Sequence, residues 1–320
     1  MKYSLKNALY ILCLGVLAPW LVVSLFEWIA FGNAGSDTHP HIPTTEQTSS
    51  HENAANDIFV LLDGNITQMP LEEYVAGVLL CELPESFSLE AKKAQAVVAR
   101  TYALRACLIT GKHAGMAVCT DPDCCQGYTP PEKYQGTEKG LTEAMDAALS
   151  TAGEVLTFEG SLIEATYFSC SGGLTEDAVA VWGSDVPYLR SVPSPGEEGA
   201  AHYTDTVTFR LRDFLKALSL PEEQTYKKLI GSISYTRGGG ISSIMIGDTM
   251  FTGTQIRSAL KLRSTAFSIS VVGDNVYITT KGFGHRVGLS QYGAEAMARS
   301  GKLYQDILAH YYQDTVLEKG

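Results

Sequence analysis

The apolar positions of this chain change period several times, and each change marks an element. Leu71, Val75 and Val78/Leu79 recur at the spacing of one helical face, which predicts a helix from Leu71 to Leu80. It ends at Glu82-Leu83-Pro84, because a residue before proline avoids helical geometry. Ser88 stands at an N-cap position ahead of an alanine-rich helix from Leu89 to about Ile109, ended by Gly111. A third helix is predicted over Thr137–Thr151, after a loop from His113 to Pro131. Alternation takes over elsewhere. Ile58 to Leu62 reads as a strand closed by Asp63-Gly64-Asn65, and Glu154 to Cys170 as a hairpin turning at Glu159-Gly160. Two further strand pairs join 230–235 to 241–246 and 266–272 to 276–280, and short helices return at 211–217, 254–260, 290–299 and 303–311. Clustered helices and hairpins without βαβ alternation predict an α+β fold.

A different pattern precedes all of this. Ala8 to Phe31 is apolar apart from Ser24 and Glu27, and Lys2 and Lys6 come before it. A crossing helix needs roughly 20 apolar residues. The run therefore predicts one transmembrane helix over 8–31, residues 1–7 as a cytoplasmic tail, and everything after it extracytoplasmic. A cleaved signal peptide is the competing reading, with small residues around Gly32 and Ala34; its apolar part is ordinarily only about 7–15 residues. Residues 32–56, rich in Ser, Thr, Asn, Gly, Pro and His, predict a flexible linker. Residues 57–320 are then the folded domain, either one large unit or two intimate lobes around a groove.

The formal net charge of −11 argues against nucleic acid or anionic lipid as the main partner. Cys81, Cys107 and Cys170 lie in apolar or mixed contexts and read as small buried hydrophobes. His113, Cys119, Cys124 and Cys125 instead share one polar, turn-rich loop. Thiolate and imidazole are the usual zinc ligands. Outside the cytosol a Cys119–Cys124 or Cys119–Cys125 disulfide is equally permitted.

Glu82 is the sharpest candidate for chemistry. It follows Val78-Leu79-Leu80-Cys81 and precedes Leu83-Pro84, a setting that desolvates a carboxyl and raises its pKa toward that of a general acid. A solvated helix-end glutamate is the plainer alternative. Further motifs narrow the choice: Glu73-Tyr74-Val75-Ala76-Gly77-Val78, Glu82-Leu83-Pro84, the run Glu90 to Tyr102, Tyr167-Phe168-Ser169-Cys170-Ser171-Gly172-Gly173-Leu174-Thr175, Pro187 to Val192, and Gly284 to Ala294. In this order they closely resemble the stage II sporulation protein D family. The resemblance implies a membrane-anchored lytic transglycosylase that cleaves the bond between N-acetylmuramic acid and N-acetylglucosamine in peptidoglycan glycan strands, peptide-stripped ones included. The reaction leaves 1,6-anhydro ends, with Glu82 as the catalytic residue. It further implies a role in engulfment during sporulation, in the septal intermembrane space, beside a sporulation amidase/endopeptidase and a polytopic membrane protein. A sister branch with the same domain enhances an amidase, so a non-catalytic peptidoglycan-binding module or amidase enhancer is the alternative.

The same motifs name the expected substrate groove. Arg100, inside the alanine-rich helix, is either a structural ion pair or a groove residue that holds a carboxylate or acetamide. Ser169, Ser171, Gly172, Gly173 and Thr175 are expected to form one wall, and Gly284, His285, Ser290, Gln291 and Tyr292 the other. Arg286 departs from the family pattern, in which glycine is common at this place. Some clostridial relatives hold zinc with a spacing like that of His113, Cys119 and Cys125, and Cys124 adds a further ligand-type side chain; the resemblance therefore implies a structural zinc site, with no metal needed for catalysis.

Overall fold

The computed structural model describes residues 57–107, 112–221 and 229–320. The predicted tail, transmembrane helix and linker, and the predicted end of the alanine-rich helix, lie outside them. Among the described residues no helix is long and apolar enough to cross a membrane.

In chain order the first elements are β1 (Asp57–Leu62), β2 (Asn65–Pro70), α1 (Leu71–Glu82), α2 (Leu89–Arg105), β3 (Val118–Cys119) and α3 (Glu138–Ser150). Next come β4 (Glu154–Phe158), β5 (Ser161–Leu162), β6 (Tyr167–Phe168) and α4 (Ala178–Trp182). A second group holds β7 (Thr204–Arg210), α5 (Leu211–Ala217), β8 (Ile230–Tyr235), β9 (Ile241–Ile246), β10 (Thr249–Thr252), α6 (Gly253–Leu260), β11 (Phe267–Val272) and β12 (Asn275–Lys281). The chain then adds β13 (Leu289–Ser290), α7 (Gln291–Arg299), α8 (Tyr304–Tyr311) and β14 (Val316–Lys319). Mixed helices and several small sheets are what the α+β expectation required.

Two sheet details and one helix cap depart from the sequence reading. Asn65, expected in the turn, opens β2: Asp63 and Gly64 alone turn the β1–β2 hairpin, both at positive φ, as a tight two-residue turn demands. The expected hairpin from Glu154 to Cys170 stops at β5; β6 leaves it and pairs in parallel with β13. That non-local pair brings the Tyr167 and Gln291 motifs together. Ser88 caps nothing with its side chain; its N–H and Oγ donate instead to Glu295 on α7.

Helix α1 is buried from Tyr74 through Leu79, so little of it meets water. Its Gly77 lets the loop after the cysteines lie directly on the helix: a Cβ there would come within 2.1 Å of the Tyr128 ring, and Thr129 N–H donates to Gly77 O. Two neighbouring cores join the helices α1 to α3, α7 and α8 with β1 and β4. Val97 and Val98 of α2 are fully buried, and each side chain contributes about 1.5–3 kcal/mol. The elements between β7 and β12 have a core of their own, around Phe214, Ile244, Ile256 and Ile278.

Arg286 ties that core to the rest. Its guanidinium donates to Ser171 O, Leu174 O and Gly238 O and pairs with Glu176 at 3.1 Å. Glu176 Oε1 in turn accepts from Thr236 Oγ1 and Gly240 N–H. Arg286 itself sits at φ 67°, so it takes the left-handed geometry natural to glycine at about 1–2 kcal/mol, offset by these buried bonds. Arg286 thus holds a left-handed backbone geometry that glycine adopts without strain.

Candidate functional site

Glu82 is the last residue of α1. The chain turns extended at Leu83, whose N–H still bonds Leu79 O, and the Glu82 carboxyl is left half-buried at the floor of a groove of about 770 Å³. Gly127 N–H donates to its Oε1 at 2.8 Å. Only glycine permits that approach, since a Cβ at Gly127 would lie 2.8 Å from Cys81 Sγ and 2.9 Å from Glu82 Oε1. Burial raises the Glu82 pKa; the Gly127 N–H and the nearby side chains of Tyr167 and Gln291 favour the charged form but are outweighed. The Gln291 amide faces the carboxyl without closing a hydrogen bond: its Nε2 is buried and has no hydrogen-bond partner among the described residues. A polar chain stands behind the acid. Tyr74 OH donates to Gln126 Oε1 at 3.1 Å, and Gln126 Nε2 donates to Tyr167 OH at 3.3 Å. The Tyr167 proton is thus left free for an acceptor on the Glu82 side.

The groove walls come from distant parts of the chain. Trp182 at the end of α4 is 44% exposed there, its ring 5.4 Å from that of His285. His285 is also edge-on to Phe168 and accepts from Val287 N–H at Nδ1. Burial, then the charge of Arg257, push its pKa down to about 4, so the imidazole is neutral over the whole physiological range. Two other carboxylates reach the groove. Glu164 is paired with Arg105 at 3.0 Å, and Asp123 is exposed on the cysteine loop.

Of the expected groove residues, Glu82, Ser169, Gly284, His285 and Gln291 line it. The others serve elsewhere. Arg100 is fully buried, paired with Glu72 and donating to the carbonyls of Glu154 and Ala148, so it locks α2 to α1 and the α3–β4 junction and does not face the groove. Ser171, Gly172 and Ser290 donate to the buried Glu197 carboxylate, and Gly173 N–H donates to Ser171 Oγ. Thr175 is buried against Val192, whose N–H it accepts. Tyr292 stacks edge-on with Phe87 at 5.1 Å and faces a separate depression. Ser171, Gly172, Thr175 and Ser290 were expected to offer their groups to a ligand, but the fold uses them on Glu197 and Val192. Cys81 is exposed and Cys107 half-buried, contrary to the buried reading; Cys170 is buried as expected. Trp182, Arg257, Gln126 and Gly127 were missed. Only the Gln126-Gly127 pair, directly after the two cysteines, left a trace in the sequence.

The cysteine loop gathers its four ligand-type side chains. His113 Nε2 lies 3.5 Å from Sγ of both Cys124 and Cys125, and the ligand atoms of these three and Cys119 are all within 4.8 Å of one another. A tetrahedral zinc with bonds of about 2.0–2.3 Å has ligand-to-ligand edges of about 3.5–3.8 Å, so the donor set fits such an ion. All described cysteines are free thiols.

This is an α+β domain with one desolvated carboxyl in an open groove whose walls mix polar and aromatic side chains. Residues 64–158, which carry α1, α2, the cysteine loop and α3, match the stage II sporulation protein family. The chain is 35% identical to stage II sporulation protein D of Bacillus subtilis (strain 168) over 97% of its own length and 94% of that protein. It is 39% identical to stage II sporulation protein D of Bacillus amyloliquefaciens, covering 78% of this chain and 74% of that one. An amidase enhancer of Bacillus subtilis (strain 168) is 29% identical over 75% of this chain and 40% of its own length. The chain belongs to the stage II sporulation protein D family, a family of sporulation proteins.

Proposed function

We propose that this protein is a peptidoglycan lytic transglycosylase and that Glu82 is its acid. The observation that carries the proposal is a carboxyl whose pKa burial raises, lining an open groove of about 770 Å³. Protonated Glu82 donates to the oxygen bridging N-acetylmuramic acid and N-acetylglucosamine, and the bond to the muramic acid C1 breaks. The resulting carboxylate accepts the proton of the C6 hydroxyl of the same sugar as its oxygen closes on C1, leaving a 1,6-anhydro end. A water-activating hydrolase ordinarily needs a second free carboxylate across the bond. Here Glu164 is held by Arg105 and Asp123 is exposed on the cysteine loop, while an internal nucleophile needs positioning only. The exposed face of Trp182 suits stacking against a pyranose ring.

A zinc ion held by His113, Cys119, Cys124 and Cys125 belongs to the same proposal. Its chemistry is structural, because it would pin the loop immediately before Gln126 and Gly127, the residues that order Tyr167 and bond Glu82. On this reading residues 8–31 anchor the domain at the engulfing membrane with the groove outside the cytoplasm. Its partners there are glycan strands, a sporulation amidase/endopeptidase and a polytopic membrane protein.

The test is mass spectrometry of fragments released by the purified full chain from peptide-stripped glycan strands. Anhydro ends, lighter by one water than hydrolytic ends, are expected. Reducing ends would point to hydrolysis. Binding without release would favour a non-catalytic module, the reading to which the similarity with an amidase enhancer lends weight.

A further inference from the structure

Every half-buried or buried arginine among the described residues has a carboxylate, with one exception. Arg100 pairs with Glu72, Arg105 with Glu164, Arg190 with Asp185, Arg263 with Asp205 and Arg286 with Glu176. Arg257 has none. It stands on α6, in the core that β7 to β12 build, and reaches the groove floored by Glu82. Its Nε donates to Leu262 O at 3.3 Å, which fixes the side-chain stem, and neither Nη group bonds a protein atom among the described residues. Its guanidinium is partly desolvated with no counter-charge, and its field bears on the neutral His285 beside it. A partly desolvated, planar, permanently charged fork that the described residues leave open is suited to accept a carboxylate from outside.

We infer that Arg257 is the receptor for the lactyl carboxylate of N-acetylmuramic acid and makes the groove select muramic acid residues whose carboxyl is free. This rests on the proposed glycan substrate. The two sugars of the strand are otherwise uncharged, so the lactyl group is the one place where a strand can answer the guanidinium. While a stem peptide is attached, that carboxyl is a neutral amide and bulky; it becomes an anion when the peptide is cut away. The chain as a whole carries a net charge of −11, which repels an anionic polymer at long range, so a local cation in the groove is what offsets that field.

The test measures binding in the non-cleaving Glu82→Gln full-length protein, so the result does not depend on turnover. The probes are glycan strands with free lactyl carboxylates and the same strands with those carboxyls converted to primary amides, which have the same shape without the charge. Free strands should bind at least about tenfold more tightly, as a charge-assisted fork is worth, and the preference should weaken with added salt. Adding Arg257→Gln should bring the two probes to within about twofold of one another, and Arg257→Lys should restore part of the preference; thermal melts check that each variant is folded. A preference unchanged in Arg257→Gln, equal binding of both probes to the arginine protein, or no binding of either strand overturns the inference. If the carboxylate preference follows Arg257 while wild-type protein releases no anhydro fragments, the transglycosylase reading fails and the assignment of Arg257 stands.

Discussion

Glu197 is 1% exposed and accepts six hydrogen bonds: from Cys170 Sγ, Ser171 N–H and Oγ, and Gly172 N–H on one oxygen, and from Ser194 and Ser290 hydroxyls on the other. Glu82 is less buried, yet it closes one hydrogen bond within ordinary distance, from Gly127. Both lie beside motifs that the family resemblance marks, and neither has a cationic partner among the described residues. The difference is the number of donors already aimed at the charge. Glu197 is held by a shell of hydroxyls, amides and one thiol that ties β6, β13 and α7 into one body. Glu82 is underprovided, so burial wins and its carboxyl keeps its proton to higher pH. A saturated carboxylate organises a fold; an undersatisfied one at a groove floor is free for proton transfer.

The largest effect that tests this contrast is on turnover. Glu82→Gln should lower the rate of glycan cleavage by about 10²–10⁴-fold or more while changing stability by less than about 1 kcal/mol, because the amide keeps the shape and loses the proton. Glu197→Gln should do the reverse. Its amide nitrogen would face donors, and urea denaturation should show a loss of about 3 kcal/mol or more. If the two variants behaved alike in both assays, donor count would not be what separates their roles. Chelation should have a smaller effect on activity than Glu82→Gln. It should lower the melting temperature and cut the rate several-fold without abolishing it, since the loop before Gly127 loosens but the acid remains. Sensitivity to reductant in place of chelator, in protein that elemental analysis finds free of zinc, would show a disulfide instead. The smallest effect is a shift in the pH profile. Activity requires protonated Glu82, so the rate is full below its raised pKa and falls as pH rises through it. Tyr167 favours the charged form, so Tyr167→Phe should move that falling limb to higher pH. A limb that stays put or moves down would remove Tyr167 from the control of the acid.

Local pattern carried most of the elements. The 3.6-residue recurrence in Leu71–Leu80, the proline after Leu83 and the alternation in 241–246 and 276–280 each recorded a structure that forms from neighbouring residues. Glu82 was legible for the same reason, because its apolar helix and the break after it are contiguous with it. The cysteine loop was legible as a cluster, since all four ligand-type residues lie between 113 and 125 and the fold brings them within 4.8 Å.

What the sequence could not show is how a polar residue is used once distant segments meet. Ser171, Ser290 and Thr175 look like ligand groups in isolation; tertiary pairing spends them on Glu197 and Val192. Arg100 and Arg257 are the same residue type on helices, and nothing local separates them. One is buried against Glu72, 28 positions away, and the other reaches the groove with no carboxylate partner among the described residues. Helix ends, turns and the candidate acid were therefore determined by short-range sterics and hydrophobic spacing. Which charges are neutralised and which remain open for a substrate was decided only by the tertiary structure, because pairing depends on through-space distances that sequence separation does not encode.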